Sequence, residues 1–194
     1  MLSALFALVA GYLLGGLPSA YLVSKLKREN VFEVGSGNMG TMNVARNLGF
    51  GLGALVLLLD LSKGALASLL GAQLGGSAAY ACGFGAVLGH AYSPYVRLRG
   101  GKGLATALGA SLPLYPRGGL TALGVLVLLT LILRRRSALA AALLTLFYPF
   151  IVWLSLAWTP PRPTGAALLT SVVFIAAVVF IKYLPDVRAE FRSA

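Results

Sequence analysis

The stretch Gly89-His90-Ala91-Tyr92-Ser93-Pro94-Tyr95-Val96-Arg97-Leu98-Arg99-Gly100-Gly101-Lys102-Gly103-Leu104-Ala105-Thr106 decides how the chain is read. It holds the only histidine of the sequence, the cations Arg97, Arg99 and Lys102, and three glycines around that lysine. Apolar segments flank it on both sides. Gly100, Gly101 and Gly103 open backbone conformations closed to other residues and bring N–H groups close to a ligand. Lys102 adds a point charge at their centre, and a helix starting near Leu104 turns its positive end to the same place. These features describe a phosphate cradle. It is not a Walker loop: Gly103 follows Lys102 where Ser or Thr stands in that motif, and Val96 occupies the place of its first glycine. The same residues also fit a flexible glycine loop with a snorkelling lysine.

Outward from this stretch the chain is apolar. Hydrophobic residues make up 58% and charged residues 11%, against about 25% charge in a soluble domain. Mean hydropathy is +0.86. The composition predicts an all-α polytopic membrane protein, with residues 1–194 as one integral membrane domain. Leu- and Ala-rich runs of helical length exclude an outer-membrane barrel, whose strands alternate over about ten residues. The net charge of +11 resembles a nucleic-acid signal, but in a membrane protein cations mark cytoplasmic loops and meet anionic headgroups. Membrane lipids are therefore the expected partner, and nucleic acid is not. Cys82 stands alone in an apolar run, so no disulfide framework, metal cluster or cofactor is expected. Residues 1–20 lack a basic leader and read as an anchor, not a cleaved signal.

About seven transmembrane helices are predicted: 2–24, 50–73, 78–91, a short segment 104–112, 118–133, 137–157 and 165–184, with a charged tail after the last. Gly75, Gly76 and Ser77 make a tight turn. Pro113 and Pro116 end the fourth segment, and Thr159-Pro160-Pro161-Arg162-Pro163 is a stiff loop. With the N-terminus outside, thirteen cations fall in inside segments and only Arg117 and Arg162 in outside ones, Lys63 lying within a span. That bias places the tail and the loops Ser36–Arg46 and Gly89–Thr106 on one cytoplasmic face. The third to fifth segments are shorter than the ~20 residues of a full crossing. Short, broken helices are thus expected around the Gly-rich loop, part of which dips into the protein.

The loop Gly35-Ser36-Gly37-Asn38-Met39-Gly40-Thr41-Met42-Asn43-Val44-Ala45-Arg46 offers Ser36, Asn38 and Asn43 for hydrogen bonding and Arg46 for bidentate grip on a phosphate. The alternative is a capped turn in which Thr41 or Asn43 starts a short helix. Asp60 and Lys63 lie three apart on one helix face and can pair. Each costs about 2.5–3.5 kcal/mol in a span, so they read as a structural pair facing the bundle interior. Glycine pairs at GxxxG spacing, Gly11/Gly15, Gly49/Gly53, Gly71/Gly75 and Gly85/Gly89, read as helix packing. The His-x4-Asp pattern of acyl-CoA-dependent glycerolipid acyltransferases fails, because Tyr95 stands five residues after His90. A Ser-His-Asp triad has only two aspartates to draw on and no nucleophile elbow, and no HExxH is present.

Taken together, these segments resemble the bacterial acyl-phosphate:glycerol-3-phosphate acyltransferases. Gly35–Arg46 is similar to that family's Gly-Ser-Gly-Asn-x-Gly-Ala-Thr-Asn-x-x-Arg, and Gly89–Thr106 to its Gly-His…Gly-Gly-Lys-Gly-x-Ala-Thr. Asp60–Gly64 matches an Asp-x-x-Lys-Gly element, and Pro18–Tyr21 a further short one. Three positions depart from the pattern. Thr41-Met42 stands for Ala-Thr, Pro94 is displaced, and Tyr183-Leu184-Pro185-Asp186 stands for a His-x-x-Asn. The resemblance implies a bacterial cytoplasmic-membrane enzyme that moves an acyl group from acyl phosphate to the 1-hydroxyl of glycerol 3-phosphate, giving lysophosphatidic acid. It implies an acyl-phosphate-producing enzyme upstream. Catalytic roles fall on Ser36, Arg46 and His90. Substrate and phosphate contacts fall on Gly35, Gly37, Asn38, Thr41, Asn43, Gly100, Gly101, Lys102, Gly103, Tyr183 and Asp186. No general base is evident, so a phosphate oxygen takes the hydroxyl proton, or His90 does. Two rival readings are a non-enzymatic binder or transporter of phosphorylated solutes, and a paralogue without turnover, which Tyr183 and Asp186 motivate.

Overall fold

Leu, Val and Ala dominate each apolar run, and in an apolar medium such a run must satisfy its backbone internally, which a helix does. The structure, a computed structural model, describes residues 2–134, 136–156 and 165–192. Its helices are α1 (Leu2–Gly16), α2 (Ser19–Lys25), α3 (Thr41–Leu48), α4 (Phe50–Gln73), α5 (Ala78–Ala91), α6 (Leu104–Leu114), α7 (Pro116–Leu133), α8 (Ser137–Leu156) and α9 (Gly165–Arg192). A single 3-10 turn, Pro94–Val96, lies between α5 and α6. The stiff loop at 159–163 lies outside the described residues.

Among the described residues, five helical stretches are long and apolar enough to cross a membrane: Leu2–Lys25 (α1 with α2), Phe50–Gln73, Pro116–Leu133, Ser137–Ser155 and Gly165–Arg192. The other two expected crossings are short. α5 has 14 residues and α6 has 11, about 21 and 17 Å of helix against a hydrocarbon core of about 30 Å. The loop between them starts and ends inside the bundle, and Ser93, Gly101 and Gly103 in it are buried.

Two further boundaries differ from expectation, and a third settles an open alternative. The first span is broken, because Pro18 has no N–H to continue α1 and the chain restarts at Ser19. The loop after it contains α3, the short helix of the alternative reading, which starts at Thr41. The charged tail is helical: α9 runs through Pro185 to Arg192. Its last turns are held because Glu190 accepts the N–H groups of Ala138 and Leu139, at 2.9 and 3.0 Å, at the start of α8. A carboxylate there satisfies two orphan donors of a helix N-terminus and favours its dipole.

Glycines set how close the helices come. A Cβ on Gly11 or Gly15 of α1 would strike the backbone of Cys82 or Ala86 on α5. A Cβ on Gly85 or Gly89 of α5 would strike the carbonyls of Leu8 or Tyr12 on α1. The two GxxxG pairs therefore interlock. Gly64 on α4 meets Thr106 on α6 in the same way, and Gly109 on α6 meets Leu61 on α4. Lipid supplies no hydrophobic drive between helices, so this contact density is what holds them. On the other side, Leu144, Val152, Leu168, Val172, Ile175 and Val179 form a packed core between α8 and α9.

The break at residues 17–18 leaves carbonyls without helical partners, and two side chains answer them. Ser93 Oγ donates to Gly16 O at 2.6 Å. Lys63 Nζ donates to Leu17 O at 3.0 Å. Lys63 Nζ also lies 2.9 Å from Asp60 Oδ1, and both residues are buried, at 6% and 2% exposure. The pair expected on α4 is thus an anchor for the first span.

Two predictions follow from this packing. Gly15→Val drives a branched side chain into the backbone of Ala86, so the purified protein should lose about 3 kcal/mol or more, the upper range for overpacking. Gly124→Ala, where an added Cβ meets nothing within 4 Å, should melt like the parent; equal melting of both variants in detergent would defeat the interlock. Lys63→Met leaves the buried Asp60 carboxylate without its cation, a loss of about 3–5 kcal/mol. Asp60→Asn added to Lys63→Met should recover part of that loss, and a double variant no more stable than the single would show that the pairing is not what matters.

Candidate active site

The Gly35–Arg46 loop is closed by one side chain. Asn43, buried on the first turn of α3, donates from Nδ2 to Val34 O and to Asn38 O, both at 3.0 Å. Its Oδ1 accepts from the Ser36 N–H at 3.0 Å and from Asn47 Nδ2 at 3.1 Å. Every hydrogen-bonding position of the amide is therefore used. Gly35 and Gly37 have φ of 58° and 65°, a left-handed backbone that a side chain resists. A Cβ on Gly35 would strike the Asn43 and Asn47 amides. Gly37 N–H donates to Val34 O at 3.0 Å.

This changes what the loop offers. Asn43 and the N–H groups of Ser36 and Gly37 shape the loop and are not left over for a ligand. The Ser36 hydroxyl, the Asn38 amide and the Arg46 guanidinium make no hydrogen bond or ion pair among the described residues, and Ser36 and Arg46 are exposed. Thr41, the first residue of α3, is partly exposed beside them.

The glycines of the second loop serve close approach more than donation. Gly101 N–H donates to His90 O at 3.0 Å, closing the C-terminal end of α5. A Cβ on Gly100 would strike the His90 and Ala91 carbonyls, and one on Gly101 would strike His90 Nε2 and come 2.9 Å from Met39 O. The Gly101 contact sets the two loops side by side. Arg99 binds them again, its guanidinium 4.1 Å from the Phe32 ring centroid. Gly103, at φ 87°, turns the chain into α6.

His90 stands behind this loop. It is 6% exposed, with Nδ1 3.5 Å from Asp60 Oδ1. The ring lies between the buried pair and Gly101, enclosed by protein.

Lys102 points to α9. Its ammonium contacts the Asp186 carboxylate and lies 4.6 Å from the centroid of the Tyr183 ring. Tyr183 and Asp186 are one helical turn apart, so both face the same loop. Asp186 is thus paired with a cation. Lys182, next to Tyr183, donates to Ala91 O at 2.9 Å and covers the Tyr92 ring, a lysine cap on α5.

Sequence reasoning did not find Lys182, Glu190, Ser93 or the Arg99–Phe32 contact. One signal was available: Tyr183, Asp186 and Glu190 recur at helical spacing, which marks one face of a continuing helix.

All these groups gather at one end of the bundle. The Glu190 cap and Arg136, 4.8 Å over the Phe191 ring, bring the α7–α8 turn to the same end. Arg99, Lys102, Lys182 and Arg136 contribute cations to these contacts. The arrangement can hold anionic groups beside a lipid-facing wall of exposed Leu, Val and Phe.

The family model for glycerol-3-phosphate acyltransferase matches residues 5–192. Glycerol-3-phosphate acyltransferase 1 of Deinococcus radiodurans is 39% identical over 189 residues, 96% of this chain and 91% of that protein. Glycerol-3-phosphate acyltransferase 1 of Dehalococcoides mccartyi is 37% identical over 195 residues, 96% of this chain and 90% of that protein. The crystal structure of PlsY (YgiH), an integral membrane glycerol 3-phosphate acyltransferase, in its glycerol 3-phosphate form matches with a TM-score of 0.87 at 29% identity, over 98% of this chain and 93% of the other. The lysophosphatidic acid form matches with a TM-score of 0.83. With the match running through every described helix and both loops, the chain belongs to the glycerol-3-phosphate acyltransferase family.

Proposed function

We propose that this protein transfers an acyl group from an acyl phosphate to the 1-hydroxyl of glycerol 3-phosphate, giving lysophosphatidic acid. In a chain of this family, the observation that carries the reading is the meeting of the Gly35–Arg46 and Gly100–Gly103 loops around unspent polar groups at the cationic end of a lipid-facing bundle. Both substrates carry phosphate, and the acyl chain needs the apolar wall. Acyl phosphate is already activated, so the protein has mainly to orient and neutralise.

Arg46, the Ser36 hydroxyl and the Asn38 amide hold one phosphate and the developing oxyanion. Lys102 holds the other phosphate. The hydroxyl oxygen bonds to the acyl carbon, the bond from that carbon to the phosphate oxygen breaks, and the hydroxyl proton passes to a phosphate oxygen. His90 acts as a positioning residue, joining Asp60 to Gly101. The alternative of His90 as base is disfavoured by its enclosure.

The protein lies in the bacterial cytoplasmic membrane with its N-terminus outside and the loop end inside, where an upstream enzyme delivers acyl phosphate. The short helices α5 and α6 complete the count of seven passes. The support is the positive-inside bias of that end.

The direct test is lysophosphatidate formation by purified protein from palmitoyl phosphate and glycerol 3-phosphate, with palmitoyl-CoA as control. Turnover is expected with the acyl phosphate and not with the thioester. Lys102→Ala should cost about 10- to 150-fold in kcat/KM, the worth of a charge-assisted hydrogen bond of about 1.5–3 kcal/mol. Wild-type kinetics in that variant would remove Lys102 from the site, and binding of glycerol 3-phosphate without any product would favour a paralogue that does not turn over.

Orientation is checked by labelling intact cells with a membrane-impermeant maleimide. Cys82 is buried, so background is low. Ser77→Cys, in the exposed turn between α4 and α5, should label from outside and Lys27→Cys should not. The opposite pattern would invert the topology.

A further inference from the structure

We propose that Asp186 is an internal counter-ion that occupies Lys102 in the substrate-free protein and is displaced when a phosphate monoester binds. The inference rests on the reading of this end of the bundle as a phosphate site.

The geometry is the starting point. The Lys102 ammonium sits in a clamp made by one turn of α9, with the Asp186 carboxylate on one side and the Tyr183 ring 4.6 Å away on the other. An ammonium has three donors and one charge, and here its charge is already answered. A phosphate arriving at Lys102 therefore meets a paired cation and a neighbouring carboxylate that repels it.

Exposure makes exchange possible. The side chains of Lys102 and Asp186 are 21% and 45% exposed, in contrast to the enclosed Asp60–Lys63 pair at 3% and 7%. A pair at the solvent boundary is weakly held, because water screens it and rehydrates each partner on separation. A dianionic phosphate monoester brings twice the charge of the carboxylate and more acceptor oxygens. It can take the lysine while Asp186 turns to solvent, with no charge left buried. Asp186 thus protects the loop's only lysine from adventitious pairing and weakens phosphate binding by the strength of the contact it gives up. The contact also ties the Gly100–Gly103 loop to α9, so displacement frees the loop at the moment of binding.

The test is equilibrium binding of glycerol 3-phosphate and of inorganic phosphate to the purified full-length protein, by titration calorimetry in detergent at low ionic strength. Asp186→Asn keeps the shape and removes the charge. Its dissociation constants for both probes should fall about two- to fivefold, the range of an exposed ion pair. The Lys102→Ala penalty on phosphate binding should be larger in the Asp186→Asn background than in the parent, because the lysine is then unpaired at rest. Asp186→Ser replaces the Asn variant if that protein is not monodisperse. Unchanged or raised dissociation constants in the folded variant overturn the proposal, a rise meaning that Asp186 holds substrate. The outcomes separate from those of the acyl-transfer assay. Tighter phosphate binding with no lysophosphatidate from the parent protein keeps the counter-ion and discards the reaction. Product formation without tighter binding does the reverse.

Discussion

Lys63 reaches from the middle of α4 to the carbonyl of Leu17, and the active end of the molecule is built outward from that contact. Pro18 opens the first span inside an apolar bundle, where an unsatisfied carbonyl has no water to turn to. At Leu17 O, Lys63 adds a second donor at 3.0 Å beside the Ser19 N–H, and Asp60 balances its charge. His90 then stands against Asp60 with one ring edge and against Gly101 with the other. Ser93 closes the neighbouring carbonyl of Gly16. A chain of contacts therefore runs from a backbone defect in the first span to the glycine loop. The members share partners, so the loop is backed by a connected polar network and not by one contact.

That rigidity needs the helices to approach closely, and this is the use of the small residues. Gly11 and Gly15 interlock with Gly85 and Gly89 backbone to backbone, and Gly64 with Thr106. The close approach lets α5 end and α6 begin inside the protein, while α5 starts at the exposed Gly75–Ser77 turn. A 14-residue helix against α1 and an 11-residue helix against α4 stop within the bundle, and the loop that joins them lies partly inside the protein. Irregular backbone at such depth is tolerated only where protein covers it. Met39, His90 and Val87 supply that cover at Gly101 and Gly103.

Much of this was legible in the residues, and the limits have physical causes. Composition and run length gave the helices, and the i,i+3 spacing of Asp60 and Lys63 gave their pairing. GxxxG spacing gave the packing at Gly11/Gly15 and Gly85/Gly89 but not at Gly49/Gly53 and Gly71/Gly75, because Gly49 and Gly75 stand between helices at φ 116° and 75° with nothing within 4 Å of an added Cβ. What failed was the destination of donors. Asn43 reads as a ligand because it can donate and accept, but an inventory of groups does not say which are already spent; four local bonds consume it. Gly101 reads as a donor to phosphate, yet its N–H closes α5. The stretch after residue 184 reads as a charged tail, yet α9 continues through Pro185 to Arg192. Proline removes one donor, and the contacts of Lys182, Asp186 and Glu190 with three other segments outweigh that loss. Such contacts are non-local, so no window of sequence contains them.

The placement of charge also bears on the choice between an interfacial enzyme and a carrier. A carrier of phosphorylated solutes needs polar groups near the midplane that a substrate can reach and leave. The charged groups within the described spans that sit deep are Asp60 and Lys63, with His90 beside them; Lys63 lies against Asp60, Leu17 O and Ser19 Oγ, and Asp60 against Lys63 and His90. A phosphate drawn to that depth would have to break a buried pair, at a cost of about 3–5 kcal/mol, and would gain one cation already in use. At the loop end, Arg46 has no such partner and Lys102 is held only by an exposed carboxylate. An anion is therefore stable at that end and not in the middle. A chemistry that joins a phosphate headgroup to an acyl chain needs only the one boundary that this bundle provides.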